Sequence, residues 1–535
     1  MRKQPYFGVD ARAKLLAGVT AVARAVGSTL GPKGSNVAID RDFSVPLNVH
    51  DGVTVAKEFG VPDRAEQVGV DMVIDAADKT NDAAGDGTTT ATLLVEAIAT
   101  EANRAIAAGG NAMIIREGIE LAKLEAVKKL QSMSREVVDS EIERVAAISA
   151  QQPDIGAKIA QAIGKMGREV IITVEESGAG VLGLEYKEGM QFDKGLVHPF
   201  MATNQETMEA ELDDVVVVVT DKKVSDGQEM LGLLKKIKEA NKNNIILICS
   251  GLEAEALALA LINKQKGALN TIAVTLPGFD DRHRRDFAED LAVVTGAKLL
   301  GKESNGRLDQ LELTDLGHAR RVVSSRETTL IIDGAGDPKR VTQRVATIRK
   351  YKDNPDIASF DRERADERLA KLTSGIAVIT VGANSETEMR ERKERVIDAI
   401  SAVKAAMQEG VVPGGETALL RCIPALRKLY EANDNDVRVG IGIMIEALQR
   451  PFKKLCENSG LNAGGLLDKV LESEYPMGVD VLDGELKDMM EAGIIDPVKV
   501  TRCALENAVS VGIMIATTDT LIIPLPPERQ NEQAG

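Results

Sequence analysis

Asn81-Asp82-Ala83-Ala84-Gly85-Asp86-Gly87-Thr88-Thr89-Thr90-Ala91-Thr92 sets turn residues, a carboxylate and three consecutive hydroxyls directly before a long apolar run. The stretch reads as a phosphate cradle. Glycines on either side of Asp86 allow a tight turn and close backbone approach to a ligand, and Thr88 to Thr90 open a helix through Leu93, Val95 and Ile98. A helix start offers free N–H groups and the positive end of the macrodipole, which suits an anion. A carboxylate beside a phosphate repels it unless a divalent cation bridges the two, so Asp86 is the natural magnesium ligand. Taken alone, the stretch fits an ordinary helix after a loop equally well.

Working outward, residues 10 to 28 carry Leu15, Val19, Val22 and Val26 at helical spacing behind a possible Asp10 cap, and stop in Thr29-Leu30-Gly31-Pro32-Lys33-Gly34. A short strand is expected around Val37 to Ile39, a tight turn at His50 to Thr54, helix up to about Asn81, and the cradle helix ends at Gly109-Gly110. Another amphipathic helix covers 112 to 131. From about 133 the texture changes, with helices over 141 to 150 and 154 to 166 and a strand at Val170 to Val174. Strands at Val215 to Val219, Ile245 to Cys249 and Thr271 to Thr275 then alternate with helices over 226 to 241 and 253 to 265, the pattern of a parallel, helix-covered sheet. Helices over 340 to 372 and 385 to 409 flank a strand at Ala377 to Val381. Their mixed-charge runs, Asp361 to Arg364 and Arg390 to Arg395, read as solvated faces or, alternatively, subunit contacts. A second helical region follows Gly410, Gly414 and Gly415 to about 513.

The 535 residues exceed one core and suggest three or four domains. With 66 basic against 82 acidic residues and a net charge of -16, the chain is a poor candidate for nucleic acid or an anionic membrane. No apolar window is long enough to span a bilayer, and the first residues carry no signal or transit pattern. The scattered cysteines, Cys249, Cys422, Cys456 and Cys503, read as buried, reduced thiols in a cytoplasmic protein. Aromatic residues make up 3% with no tryptophan, so the cores must use Val, Ile, Leu, Ala and Met, which suits close helix packing.

The cradle has companions in fixed order: Thr29 to Gly34, Asp51-Gly52-Val53, Gly189 to Asp193, Pro277 to Arg282, Gly410-Val411-Val412-Pro413-Gly414-Gly415 and Asp496 to Arg502. The ordered set resembles a group I chaperonin of the GroEL type over the chain to about residue 525. The resemblance implies a multidomain α/β protein with the chaperonin fold. Its parts are a mainly α-helical, discontinuous equatorial domain (1–132 and 410–525), a small α/β intermediate domain (133–187 and 376–409), and an α/β apical domain inserted in the middle (188–375). A disordered tail would cover 526–535.

By the same resemblance, Thr29, Leu30, Gly31 and Pro32 line ATP, Asp86 holds Mg2+, and Gly87, Thr88, Thr89 and Thr90 hold the phosphates. Gly414 and Gly415 lie under base and ribose, Asp496 takes the ribose hydroxyls, and K+ accompanies the site. Asp398 matches the intermediate-domain aspartate that positions the attacking water, and Asp51 a second carboxylate near the γ-phosphate. Without the resemblance, Asp398 reads as one more solvent-facing acid on a charged helix.

The resemblance further implies polypeptide and co-chaperonin binding at Leu231, Leu234, Leu257, Leu261 and Ile262, with Leu196, Phe200 and Met201 in the accompanying segment. Periodicity alone reads Met230, Leu233, Leu234 and Ile237 as a core stripe with Leu231 off it. Partners implied are non-native polypeptides, a small GroES-type co-chaperonin and further copies of the chain in seven-membered rings. The chain departs from the family pattern at His50, Leu196, His198, Gly478-Val479-Asp480-Val481, the Ser374-Gly375 hinge and a tail without Gly-Gly-Met repeats. A folding chamber is the leading expectation; a non-cycling scaffold of the same fold and an unrelated phosphotransferase are the alternatives.

Overall fold

The computed structural model describes residues 3–40, 47–168, 170–177, 180–205, 207–302, 306–354, 359–373, 375–383 and 385–524. The hinge substitution Ser374 and the expected tail 526–535 lie outside these residues. The chain forms two compact units: one of Met1–Gly164, Val174–Gly183 and Thr380–Gly535, the other of Lys165–Thr173 and Leu184–Ile379.

The first unit is helical and is made from both ends of the chain. Helix Val498–Thr517 packs on Arg64–Ala84, Thr88–Ala107 and Ala112–Met133, while Asn435–Ala447 packs on Ala112–Met133. Val19, Val22, Val26, Leu94, Val95, Ile98, Ile119, Leu505 and Val509 meet in its core. Strand Lys3–Phe7 pairs antiparallel with Thr520–Pro524, Lys3 opposite Pro524 and Phe7 opposite Thr520. No local pattern announces this pairing.

Helix Gly8–Gly27 starts two residues before the expected Asp10 cap. Phe7 is its N-cap, without a side-chain bond, and Asp10 sits in the first turn, where its charge complements the dipole. The predicted helix up to Asn81 divides into Gly52–Glu58 and Arg64–Ala84, each opened by an aspartate that accepts first-turn N–H groups, Asp51 and Asp63.

Close packing rests on paired glycines. A Cβ at Gly18 would fall 1.9 Å from the Glu66 carbonyl oxygen, and one at Gly69 2.1 Å from that of Leu15. Gly118 and Gly440 repeat the arrangement, 2.0 Å from the Val437 and 2.2 Å from the Ile115 carbonyl oxygen. Backbone cannot yield as a side chain can. Gly18→Ala should therefore force the helices apart and destabilise the first unit by ~1–3 kcal/mol, read as a lowered Tm of the nucleotide-free protein. A Tm equal to wild type would show that the two helices can separate freely.

The second unit is built on an eight-stranded sheet in the order Asn270–Thr275, Asn244–Cys249, Ala210–Val219, Gly317–Ser324, Thr329–Gly334, Gly183–Phe192, Gly375–Val381, Ile171–Glu176. The first three strands are parallel, as expected, with Val215 opposite Asn244 and Asn244 opposite Asn270. The sheet as a whole is mixed, because further strands not among those three join it. Gly317–Ser324 and Thr329–Gly334 are joined by only four residues, too few for a crossover, so they pair antiparallel with each other and with their outer neighbours. All four cysteines are buried and unpaired, and burial pushes the Cys249 and Cys422 thiols up to about 12.

Candidate nucleotide site and apical surface

The cradle sits where the sequence places it. Helix Arg64–Ala84 ends on Gly85 at φ +68, and Thr88–Ala107 begins after Gly87 at φ +85, both left-handed conformations that glycine adopts without strain. No side chain caps the second helix, so its first N–H groups are left to water or a ligand. The glycines also admit neighbours: a Cβ on Gly85 would lie 2.2 Å from the Ser401 side chain, and one on Gly87 2.7 Å from that of Val500. Ser401 stands on helix Glu386–Glu409, which also carries Asp398. The tight turn thus brings the far carboxylate to the cradle.

Asp51 accepts from Val53 N at 3.2 Å and Thr54 N at 2.7 Å, and at the next residue, Gly52, a Cβ would lie 2.4 Å from the Thr89 and 3.1 Å from the Thr88 hydroxyl oxygen. Asp86 accepts from Gly87 N at 2.6 Å and from Ser149 Oγ at 3.2 Å. Thr29 caps its own helix through Val26 O, and Gly31 at φ +85 leaves no room for a Cβ against Leu455. Asn458 Nδ2 donates to the Gly27 and Leu30 carbonyls, and Lys33 Nζ donates to those of Val481 and Leu482, which ties this loop to hairpin Met477–Asp488. Pro32 lies inside the same turn. On the opposite side, Val412 pairs with Asp496, and a Cβ on Gly414 would stand 2.9 Å from Asp496 Oδ1. Gly415, at φ +62, and Glu416 donate backbone N–H groups to the Asp496 carboxyl.

Acids dominate this cleft. Asp86, Asp398, Glu416 and Asp496 keep a solvent-facing edge but are otherwise surrounded by protein. Burial raises the pKa of Asp86, and the charge of Asp51 adds to it. Asp398 is held well above the usual carboxylate range by burial and by Asp51, Asp86 and Glu394, with Arg395 opposing. Burial and Asp86 push Asp496 up to about 7. Glu416 was not legible as a site residue, and nor were Glu394 and Ser149. Only the position of Glu416 directly after Gly414-Gly415 hinted at it.

Among the described residues no group of three or more His, Cys, Asp or Glu side chains could hold a metal unaided. That suits Mg2+, which takes one or two carboxylates and completes its shell with phosphate oxygens and water. Asp86, close to a second acid and without a cationic partner among the groups acting on it, fits that role.

In the second unit the expected apical residues divide. Phe200 is 70% exposed and Ile262 45%, and Leu196, Leu231, Leu257 and Leu261 are half-buried. Helix Ala254–Gln265 fully buries only Ala256 and Ala260, while Leu257, Leu259 and Leu261 pack against the core with part of each side chain still accessible. Leu234 and Met201 correct the expectation of an exposed position. Leu234 is buried in the core with Met230, Leu233 and Ile237, and Met201 lies at 0% exposure with its Sδ accepting from Ala273 N.

A helical unit closed from both chain ends, an acid-lined cleft at a helix start, and an inserted mixed-sheet unit together define the chaperonin architecture. Residues 22–525 match the model of the TCP-1/cpn60 chaperonin family, and the chain belongs to that family. Among solved structures it is similar to the chaperonin gp146 from the bacteriophage EL 2 (Pseudomonas aeruginosa), crystallised in the presence of ATP-BeFx. The TM-score is 0.67 at 20% identity, over 98% of this chain and 99% of that one. At this identity the likeness bears on the fold. Family membership makes the protein an ATP-dependent chaperonin as a class, with polypeptide substrates and ring assembly as the family's common properties. No helix among the described residues is long and apolar enough to cross a membrane.

Proposed function

We propose that the protein binds Mg-ATP in the cleft of its first unit, captures non-native polypeptides on its second, and folds them in a ring chamber closed by a small co-chaperonin. The three-domain division at 132/133, 187/188, 375/376 and 409/410 belongs to this reading, as do seven-membered rings, K+ and a cytoplasmic location. The observation that carries it is the meeting of Asp51, Asp86 and Asp398 at an uncapped helix start, from three segments far apart in sequence.

Gly87 to Thr90 hold the phosphates through first-turn N–H groups and hydroxyls. Thr29 to Pro32, Gly414, Gly415 and Asp496 hold the nucleoside end. Asp86 carries Mg2+, which when bound neutralises phosphate charge and polarises the γ-phosphoryl group. Asp398 and Asp51 orient the attacking water, the main task a protein has in phosphoryl transfer beyond electrostatic stabilisation. Leu196, Phe200, Leu231, Leu257, Leu261 and Ile262 offer apolar surface to an unfolded chain, and Met201 and Leu234 support it from beneath.

ATP turnover and refolding of an aggregation-prone client, each with and without a GroES-type partner and alongside particle mass, test the reading together. Mg-dependent turnover coupled to refolding in a ring-sized particle is expected. A ring that holds client without turnover would favour a scaffold, and a monomer without client binding would overturn the reading.

A further inference from the structure

Glu416 lies in the cleft without a role in the reading above. It holds φ +61 immediately after the glycine pair, and Thr90 Oγ1 lies 2.6 Å from Glu416 Oε1. Thr90 is 8% exposed and sits in the first turn of the cradle helix. A threonine hydroxyl has one proton to donate. When Glu416 is ionised, that proton is committed to Glu416 and is withheld from a phosphate oxygen. When Glu416 is protonated the direction reverses: its O–H donates to Thr90 Oγ1, and Thr90 donates onward.

The surroundings select the protonated form. Thr90 reaches Glu416 from the cradle helix, Asp86 acts on it from the turn before that helix, and Asp496 from strand Ile495–Pro497. Burial raises the Glu416 pKa to about 8 against the opposing Thr90 hydrogen bond, and the two acids, Asp496 and Asp86, add to it. The Asp496 carboxyl accepts the Gly415 and Glu416 N–H groups.

We infer that Glu416 acts as a neutral acid at the outer end of a two-link hydrogen-bond relay, through Thr90, that presents the Thr90 proton to a nucleotide phosphate. The relay rests on the nucleotide reading of the cradle and deepens it. The loop assigned to base and ribose then also serves the phosphate end. A neutral donor strengthens anion binding, whereas an ionised carboxylate at the same place repels the anion. Glu416 is a positioning residue: it acts on the phosphate only through Thr90.

The sign of the pH effect follows. A bound phosphate favours the protonated acid, so affinity is full below about pH 8 and falls as pH rises through that value, by up to about tenfold per pH unit for one proton. Equilibrium binding of ADP and ATP with Mg2+ to the full-length protein, measured from about pH 6.5 to about 9.5, reads this directly. Glu416→Gly removes the side chain and keeps the left-handed turn. It should bind about tenfold more weakly at neutral pH. Glu416→Gln keeps a neutral donor, so it should restore binding to within about threefold and abolish the alkaline decline. Wild-type affinity in Glu416→Gly, or an unchanged alkaline decline in Glu416→Gln, would overturn the relay alone. Wild-type protein that binds no nucleotide would overturn the nucleotide reading and the relay with it.

Discussion

Asp398→Ala is expected to bind ATP within a few-fold of wild type while turning it over about 10²–10⁴-fold more slowly. The asymmetry follows from where the groups sit. The phosphate contacts proposed above use the backbone and hydroxyls of the turn and helix start at Gly87 to Thr90, and none of these groups belongs to Asp398. Asp398 instead adds a carboxylate to a cleft that already contains Asp51 and Asp86, and burial together with those charges holds its pKa well above the usual range. Its removal relieves repulsion toward an anionic ligand, so affinity should hold or improve. The loss should therefore fall on the chemical step. Calorimetric ATP binding beside single-turnover hydrolysis separates the two quantities, and an unchanged hydrolysis rate would remove Asp398 from the reaction.

The second large effect concerns polypeptide capture. Leu261→Asp and Ile262→Glu should each weaken binding of an unfolded chain by about tenfold or more while ATP turnover continues. Ile262 is 45% exposed, so a charge there stays solvated and the unit keeps its fold, whereas Leu261 is half-buried against the core and its substitution also gives up some packing. Leu234→Glu should behave differently. At 2% exposure, behind Leu233 and Ile237, its carboxylate would be buried without a partner, at a cost of several kcal/mol. The expected result is an unfolded or aggregating protein. Suppression of client aggregation, measured beside circular dichroism and ATPase, distinguishes the two outcomes. A well-folded Leu234→Glu protein that had lost only capture would place Leu234 at the binding surface after all.

Leu234 also shows what each kind of sequence reading could supply. Helical spacing assigned it to a core stripe, the family match assigned it to the binding surface, and the structure follows the spacing. Glycine punctuation located the cradle turn because positive φ at Gly85 and Gly87 is a local requirement with a local signature. The parallel strands were readable for the same reason, since burial on both faces leaves an unbroken apolar run such as Val215 to Val219. The pairing of Lys3–Phe7 with Thr520–Pro524 is set by contacts between opposite ends of the chain. Glu416 was hidden because a buried acid and a surface acid are spelled alike. Only the 2.6 Å approach of Thr90, across more than three hundred residues, tells them apart.

Helix Val498–Thr517, with Asp496 just before it, bears on how the protein is made. This helix packs on three helices from the first 133 residues, and Asp496 lies against Gly414 in the proposed nucleotide cleft. Neither becomes available until the whole of the second unit has been made. The second unit thus precedes, in order of synthesis, the segments that complete the proposed nucleotide cleft. A growing chain therefore carries the leucines proposed to meet polypeptide before the proposed nucleotide site can form.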